Sequence, residues 1–197
     1  ASRSLPVRVF ALGALLALLA GALPAARLFD KSEYAARRQK FYEKIAGGTA
    51  VIFGAQPIAS YYPYGQSNDF LYLTGVELPN AAIILDGARK SATLFFTATE
   101  DAALAEGIPA ELVKNPQAFT GIERVMPIEA LTQQIAALAQ RAAVLYTPFR
   151  PEELYREASM EKARTLLQNQ SLSIWDGRTT REMQFVKVLR DRFPGLE

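Results

Sequence analysis

The most informative segment of this chain reads Tyr62-Pro63-Tyr64-Gly65-Gln66-Ser67-Asn68-Asp69-Phe70-Leu71-Tyr72-Leu73-Thr74-Gly75. Its first half is polar and favours turns, whereas Phe70 to Leu73 has the aromatic and aliphatic character of a buried strand. Gly75 and Pro79 interrupt this pattern, and the apolar run from Ala81 to Leu85 predicts a second strand. On its own, this signature segment (residues 62–75) predicts core strands of an α/β domain.

The order of residues in the signature segment closely resembles the N-terminal domain of aminopeptidase P. The resemblance rests on Tyr-x-Tyr, then Gln, Asp-Phe and Tyr-x-Thr-Gly, with a proline before the next apolar strand. It extends to the stretch 34–41 and to the strand-like run 48–53. These Xaa-Pro aminopeptidases belong to the creatinase, prolidase and methionine aminopeptidase group of metallopeptidases. The chain departs from the family at Gly65, where Arg is usual, and in having only Glu106-Gly107 where a Trp-x-Gly-x-Arg segment is expected.

The resemblance covers about residues 30 to 197 and implies an α/β fold with a central mixed β-sheet flanked by helices, of the ribonuclease H-like kind. In the family, a separate C-terminal "pita-bread" domain carries the catalytic centre. Two Asp, one His and two Glu there hold two divalent ions, commonly manganese, and a bridging hydroxide attacks the peptide bond before proline. None of these ligands maps onto this sequence. We therefore expect the catalytic domain to be absent from this chain, and we assign no catalytic or metal-binding residue within it.

The same resemblance implies the partners. The N-terminal domain supports dimers or tetramers and shapes the entrance for proline-containing peptides, so we expect contacts with its own C-terminal catalytic domain and with further copies. Candidate residues for an interface or an active-site rim are Tyr62, Tyr64, Asp69, Phe70 and Tyr72. The alternatives are that alternate aromatic side chains fill the core and that Asp69 caps a turn or pairs with a basic side chain.

The amino-acid composition restricts the kinds of catalytic and binding site that the chain can form. The chain has 197 residues, 50% of them hydrophobic, which is typical of a globular protein. The net charge of +2 gives no reason to expect a nucleic-acid partner. Histidine and cysteine are both absent, which excludes Ser-His-Asp and Cys-His catalysis, disulfides and zinc-thiolate sites from this chain. The neighbouring Arg37 and Arg38 are expected to form a solvated helix flank.

The first 26 residues have the pattern of a signal peptide, so we place the aminopeptidase P-like domain at 27–197. Arg3 and Arg8 precede an uncharged, Leu- and Ala-rich run that ends in small residues. We expect cleavage after Ala22, with Ala25 or Ala26 as less regular alternatives, and export to the periplasm or the exterior. The rival interpretation is an uncleaved membrane anchor.

The remaining patterns predict interleaved helices and strands. Predicted helices are 31–46, 100–106, 108–114, 128–141, 152–169 and 179–192, and predicted strands are 49–53, 70–73, 81–85, 92–96 and 143–146. Two other functions stay open, namely a stand-alone binding or oligomerisation module and a pseudo-enzyme with a degenerate metal site. A relative acting on dipeptides or creatine-like substrates cannot be separated from an Xaa-Pro peptidase by this domain.

Overall fold

The computed structural model describes residues 29–56, 64–141, 144–148 and 181–196. The predicted leader, Tyr62 and the predicted helix over 152–169 lie outside these ranges. In chain order the elements are α1 (Lys31–Ile45), β1 (Thr49–Phe53), α2 (Asn68–Thr74), β2 (Ala82–Asp86), β3 (Ser91–Phe95), α3 (Glu100–Glu106), α4 (Ala110–Lys114), α5 (Pro116–Thr120), β4 (Arg124–Met126), a 3₁₀ turn (Ile128–Ala130), α6 (Leu131–Ala139), β5 (Leu145–Tyr146) and α7 (Arg181–Arg192).

Helix α1 begins and ends where its sequence predicts. The Asp30 carboxylate accepts a hydrogen bond from the Ser32 amide at 2.8 Å and so caps the helix. Phe29 packs edge-on against Tyr34, with ring centroids 6.3 Å apart, which forms a hydrophobic staple. At the other end Ala46 enters the left-handed region with φ 42°, and the chain leaves the helix at the glycine pair that follows.

The predicted strand over 70–73 is wrong, because this part of the signature segment is helix α2. The Ser67 side chain caps the helix by accepting from the Phe70 amide at 3.4 Å. Phe70 and Leu73 are buried, whereas Tyr72 between them is 53% exposed. Burial at i and i+3 is helical periodicity, while a strand would bury alternate residues. The cap and this spacing outweigh the strand propensity of the side chains.

Five strands in the described ranges form one mixed sheet in the order β4-β3-β2-β1-β5. Strands β1, β2 and β3 pair antiparallel, whereas β5 lies parallel to β1 and β4 lies parallel to β3. The β2–β3 hairpin closes in the turn after Asp86. This confirms the predicted mixed sheet with helices on its faces.

The central strands are apolar throughout because helices cover both faces of the sheet. On β2, Ile83 and Leu85 enter the core formed with α1, α2 and α4. Ala82 and Ile84 point the opposite way, into a second core formed with α6 and α7. The signature helix α2 belongs to the first core, where Phe70 and Leu73 pack.

Where the structure describes the second half of the chain, it follows the predictions with three differences. Helices α3, α4 and α7 are confirmed, but the predicted helix over 128–141 begins with a 3₁₀ turn. The short helix α5 and the edge strand β4 were not predicted. Within the ranges that the structure describes, no helix is both long and apolar enough to span a bilayer.

Candidate functional site

Gln66 ties together the segments around the start of α2. Its buried side chain accepts hydrogen bonds from the amides of Ala55 at 2.6 Å and Ser67 at 2.8 Å, and it donates to the Leu78 carbonyl at 2.9 Å. One amide group therefore joins the end of β1, the cap of α2 and the loop before β2. Since a buried amide is costly unless its hydrogen bonds are made, the glutamine of the signature segment has a structural role.

The Thr74-Gly75 pair ends helix α2. The Thr74 hydroxyl donates to the Phe70 carbonyl at 2.7 Å and accepts from the Val76 amide at 3.3 Å. Gly75 has φ 71°, in the left-handed region that favours glycine. A Cβ atom at this position would lie 2.3 Å from Cε2 of Tyr34. Both the backbone angle and the contact with α1 therefore require glycine here.

Arg38 lies on α1 and is buried against the C-terminal ends of α2 and α5, so the expectation of a solvated flank is wrong for this residue. Its guanidinium donates to the Leu73 carbonyl at 2.9 Å and to the Gly121 carbonyl at 3.2 Å. These carbonyls lie at the C-terminal ends of α2 and α5, where the helix dipole favours a cation. Burial lowers the pKa of Arg38 from its ordinary value, and the charge of Tyr42 opposes this shift. An arginine nevertheless keeps its proton at neutral pH.

Arg37 is also not a simple solvated residue. Its guanidinium carbon lies 4.8 Å from the ring centroid of Phe29, 5.0 Å from that of Tyr34 and 4.6 Å from that of Tyr72. The Nε atom donates to Glu33 Oε1 at 3.0 Å. Cation–π contacts of this kind attract the cation to the ring faces. Arg37 therefore links the N-terminal end of α1 to the exposed face of α2.

A groove with a volume of about 690 Å³ lies beside this arginine. We call it the aromatic groove. Most of its lining is aromatic or apolar, and the side chains and backbone that form it are those of Phe29, Tyr34, Arg37, Tyr64, Asn68, Leu71, Tyr72, Gly75, Val76, Glu77, Pro79, Glu106, Gly107, Pro109, Leu112 and Phe119. Its carboxylates are Glu77 and Glu106, both on exposed residues.

Of the four predicted candidates that the structure describes, two line the same groove and two do not. Tyr64 and Tyr72 line the aromatic groove, and the Tyr64 hydroxyl donates to the Ala55 carbonyl at 3.3 Å. Phe70 is fully buried in the core, as the alternative interpretation expected for some of the aromatic residues. Asp69 is exposed in the first turn of α2 and is not the cap, which is Ser67.

The described residues contain no group of three or more Asp, Glu, His or Cys side chains placed to hold a metal ion. Glu100 and Asp101 are adjacent in the first turn of α3, and Glu100 faces the Lys114 ammonium at 3.9 Å. Such an exposed pair is ordinary surface electrostatics. Within the described residues, the groove combines aromatic and apolar side chains with the guanidinium of Arg37 and two carboxylates.

Comparison with known proteins decides the family. The family model described as aminopeptidase P, N-terminal domain, matches residues 34–146. This chain belongs to that family. The matched range includes the signature segment, the sheet and the helices that border the aromatic groove.

Individual relatives agree with the family assignment. The Xaa-Pro aminopeptidase of Escherichia coli K12 is 29% identical over 126 residues, covering 59% of this chain and 28% of that protein. The structure of E. coli aminopeptidase P in its low-pH form has a TM-score of 0.50 at 26% identity, covering 60% of this chain and 29% of that chain. Proline aminopeptidase P II from Yersinia pestis has a TM-score of 0.52 at 28% identity, covering 72% and 35%.

A more distant structure supports the fold alone. A putative aminopeptidase P from Bacillus anthracis has a TM-score of 0.59 at 16% identity, covering 85% of this chain and 37% of that chain. The chain spans between 28% and 37% of the length of these relatives. What the family assignment establishes is therefore the N-terminal domain and its fold.

Sequence reasoning missed the two arginines that organise this region. The signal was present, because Tyr34, Arg38, Tyr42 and Ile45 recur at helical spacing and are the buried residues of α1. An arginine on the apolar face of a helix indicates a buried hydrogen-bonding role. Arg37 gave no such signal, because it is not among the buried residues of α1 and its contact with the Tyr72 ring comes from another helix.

Proposed function

We propose that this chain is the non-catalytic N-terminal domain of an exported metallopeptidase similar to Xaa-Pro aminopeptidases. The observation that carries the proposal is the match of the family model to residues 34–146. In this proposal the domain supports oligomerisation and shapes the access of peptides to a catalytic domain elsewhere in the protein. The full protein then removes N-terminal residues that precede proline.

The residue types in this chain support the proposal that peptide hydrolysis takes place in another domain. A dinuclear hydrolytic site needs several carboxylate or imidazole ligands that converge on two ions. The chain has no histidine, and the carboxylates of the described ranges form no such group. The two divalent ions, manganese in the proposal, belong to the catalytic domain, and no residue here is assigned to them.

Exposed aromatic surface supports a role in assembly or access. Phe29 and Tyr72 are 47% and 53% exposed, although both are large and apolar. Aromatic side chains of this kind are enriched at protein interfaces. Phe29 lies just before α1 and Tyr72 lies on α2, so a catalytic domain or a second copy could contact them without disturbing the core.

The coding sequence beyond the codon for Glu197 separates this proposal from its rivals. We expect it to encode a further domain with the ordered ligand set Asp, Asp, His, Glu and Glu. An open reading frame without such a domain would make the protein a stand-alone binding or oligomerisation module. A further domain that lacks part of the ligand set would make it a pseudo-enzyme.

Export and assembly have their own tests. When the full reading frame is expressed with its leader, N-terminal sequencing of the secreted or periplasmic product should give Leu23 first, as cleavage after Ala22 requires. A product beginning at Ala26 or Arg27 would move the cleavage site, and an intact leader in the membrane fraction would indicate an anchor.

Analytical ultracentrifugation of the full protein should show a dimer or tetramer, and a monomer at all concentrations would contradict the assembly role.

A further inference from the structure

The peptide that joins Gly54 to Ala55 lies at the end of β1, where several segments of the domain meet. The Gly54 amide donates to the Ala81 carbonyl at 2.8 Å, and the Ala55 carbonyl accepts from the Asn80 amide at 3.1 Å. The Tyr64 hydroxyl donates to the same Ala55 carbonyl at 3.3 Å. A Cβ atom at Gly54 would lie 3.2 Å from the Ala81 carbonyl oxygen, so the backbones approach closely here. The position of this peptide is therefore fixed by its neighbours.

The two remaining polar groups of this peptide bond to two different helices. The Gly54 carbonyl accepts from Nη1 of Arg181 on α7 at 3.2 Å, and the Ala55 amide donates to Oε1 of Gln66 at 2.6 Å. Because a trans peptide is planar, its C=O and N–H point in opposite directions and turn together. A cation that donates to the carbonyl also polarises the peptide and strengthens the hydrogen bond that its N–H donates. The peptide thus joins Arg181 to Gln66 as one rigid unit.

Gln66 carries this connection into helix α2. The same Oε1 atom accepts from the Ser67 amide at 2.8 Å. The Ser67 side chain caps α2 through the Phe70 amide, and its carbonyl accepts from the Leu71 amide at 2.8 Å. The orientation of the Gly54–Ala55 peptide therefore affects the cap and the first turn of α2.

At the other end of the connection, α7 is placed by its contacts with Phe53. The guanidinium carbon of Arg181 lies 5.1 Å from the centroid of the Phe53 ring. Phe185, one turn further along α7, packs edge-on against the same ring with centroids 4.9 Å apart. Cation–π and edge-to-face contacts both have preferred geometries. The seat of α7 on Phe53 therefore decides whether Arg181 reaches the carbonyl that follows it.

Helix α7 is held to the sheet less firmly than the strands are held to each other. Of its 12 residues, Leu189 is the buried one. On β2, in contrast, Ala82 to Leu85 are all buried. Elements with few buried apolar contacts open locally at a lower free energy than the core strands do. Helix α7 can therefore leave the sheet face while the sheet stays folded.

We propose that α7 is a conformational switch for the start of α2, with Arg181 as the positioning residue that connects the two helices. When α7 is docked, Arg181 polarises the Gly54–Ala55 peptide and so holds Gln66 on the cap of α2. When α7 leaves the sheet face, this peptide loses its cationic partner and the first turn of α2 loosens. A protein or domain that grips or displaces α7 would therefore change the wall of the aromatic groove. This coupling is a property of the domain and does not depend on the proposed peptidase function.

The first test uses amide NMR signals of the purified 197-residue chain. Arg181→Met removes the cationic donor and should shift the signals of Ala55 and Ser67, whose amides both donate to the same side-chain oxygen. Arg181→Lys can still donate to the carbonyl, so its shifts should lie between those of the wild type and of Arg181→Met. The matched control is Lys187→Met, which removes an exposed cation of α7 that pairs with Asp191. It should leave both signals in place.

Hydrogen exchange of the Leu71 amide measures the coupling itself. Arg181→Met should raise its exchange rate at least about threefold, because residues of one hydrogen-bond network are coupled. Lys187→Met should not raise it. In a Gln66→Leu background the connection is already cut, so adding Arg181→Met should change the rate by less than about twofold.

Three results would overturn the proposal. The first is an Arg181→Met variant whose Ala55 and Ser67 signals stay where Lys187→Met leaves them. The second is a Leu71 exchange rate that Arg181→Met does not raise. The third is an equal rise of that rate with and without Gln66→Leu, which would make Arg181 a stabilising residue without a connection to α2. If Gln66→Leu lacks native circular dichroism, the amide signals and exchange rates of the single variants decide alone.

Discussion

Replacing Gly75 with alanine tests how the signature segment is packed against helix α1. Gly75 ends α2 with φ 71°, and its Cα faces the ring of Tyr34. A Cβ atom would lie 2.3, 2.5 and 2.7 Å from three carbons of that ring. These distances are far shorter than a normal contact between carbon atoms. The ring is 3% exposed and so has little room to move away.

Two effects add up in this variant. A residue with a side chain in the left-handed region costs about 1 to 2 kcal/mol relative to glycine. Forcing an extra methyl group into a packed contact costs a further amount of about 1 to 3 kcal/mol. We therefore expect Gly75→Ala to lower the free energy of unfolding by about 2 to 5 kcal/mol, the sum of the two. Urea titration followed by circular dichroism measures this loss.

Gly107 provides a matched control. It ends helix α3 with φ 70°, almost the same angle, but an added Cβ would meet nothing within 4 Å. Gly107→Ala should therefore show only the backbone cost of about 1 to 2 kcal/mol. Equal losses in the two variants would refute the reasoning, because they would show that Tyr34 does not press on this position.

Further predictions concern buried and paired polar groups. Arg38→Met should lower the free energy of unfolding by about 2 to 3 kcal/mol, because two carbonyls lose their donor; a loss below about 0.5 kcal/mol in urea titration would contradict this. Gln66→Glu replaces the amide that donates to Leu78 with a carboxyl group, and burial should raise the pKa of that carboxyl group. Stability should then fall as pH rises from about 4 to 7. Equal losses in urea titrations at both pH values would argue against this prediction. Partial burial acts to raise the pKa of Asp86, but hydrogen bonds from Arg89 outweigh it and hold this pKa below its ordinary value. The interaction between Asp86 and Arg89 therefore stabilises the fold at pH values above the unfolded pKa of Asp86, and this stabilisation is lost as pH falls through the folded pKa. Asp86→Asn should then cost less than about 1 kcal/mol near neutral pH and nothing measurable at about pH 2.

The sheet and the long helices could be predicted because their signals are local. Helix α1 has its cap, its staple and its glycine stop within the sequence that forms it. Strands β1 and β2 are continuous apolar runs bounded by glycine or proline, which is typical of strands covered on both faces. The mixed pairing followed from the short turn between β2 and β3.

The error at α2 has a definite physical origin. Phe70 to Leu73 combines aromatic and aliphatic side chains, which fit a strand or a buried helix equally well over so short a run. The deciding features are the Ser67 cap, which accepts from the Phe70 amide, and Gly75 in the left-handed region; both lie in the segment itself and outweigh its strand propensity. Gln66 buries its amide only because β1 and the Leu78 loop surround it.

The aromatic groove could not be predicted, because its lining comes from segments that are distant in the sequence. Tyr64 in the loop before α2 and Tyr72 on α2 both line it, whereas Phe70 lies on the buried side of that helix. Arg37 reaches the Tyr72 ring through the packing of α1 against α2, whereas Phe29 and Tyr34 lie at the start of α1 itself. The short helix α5 and strand β4 carry too few residues for a periodic signal.

The most direct test of the proposed function is hydrolysis of an Xaa-Pro peptide in the presence of manganese, measured for the purified 197-residue chain and for the product of the full reading frame. We predict release of the N-terminal residue by the full product, abolished by a chelator, and no release above the buffer rate by this chain alone. Manganese-dependent release by this chain at a rate comparable to that of the full product would contradict the assignment of a non-catalytic domain.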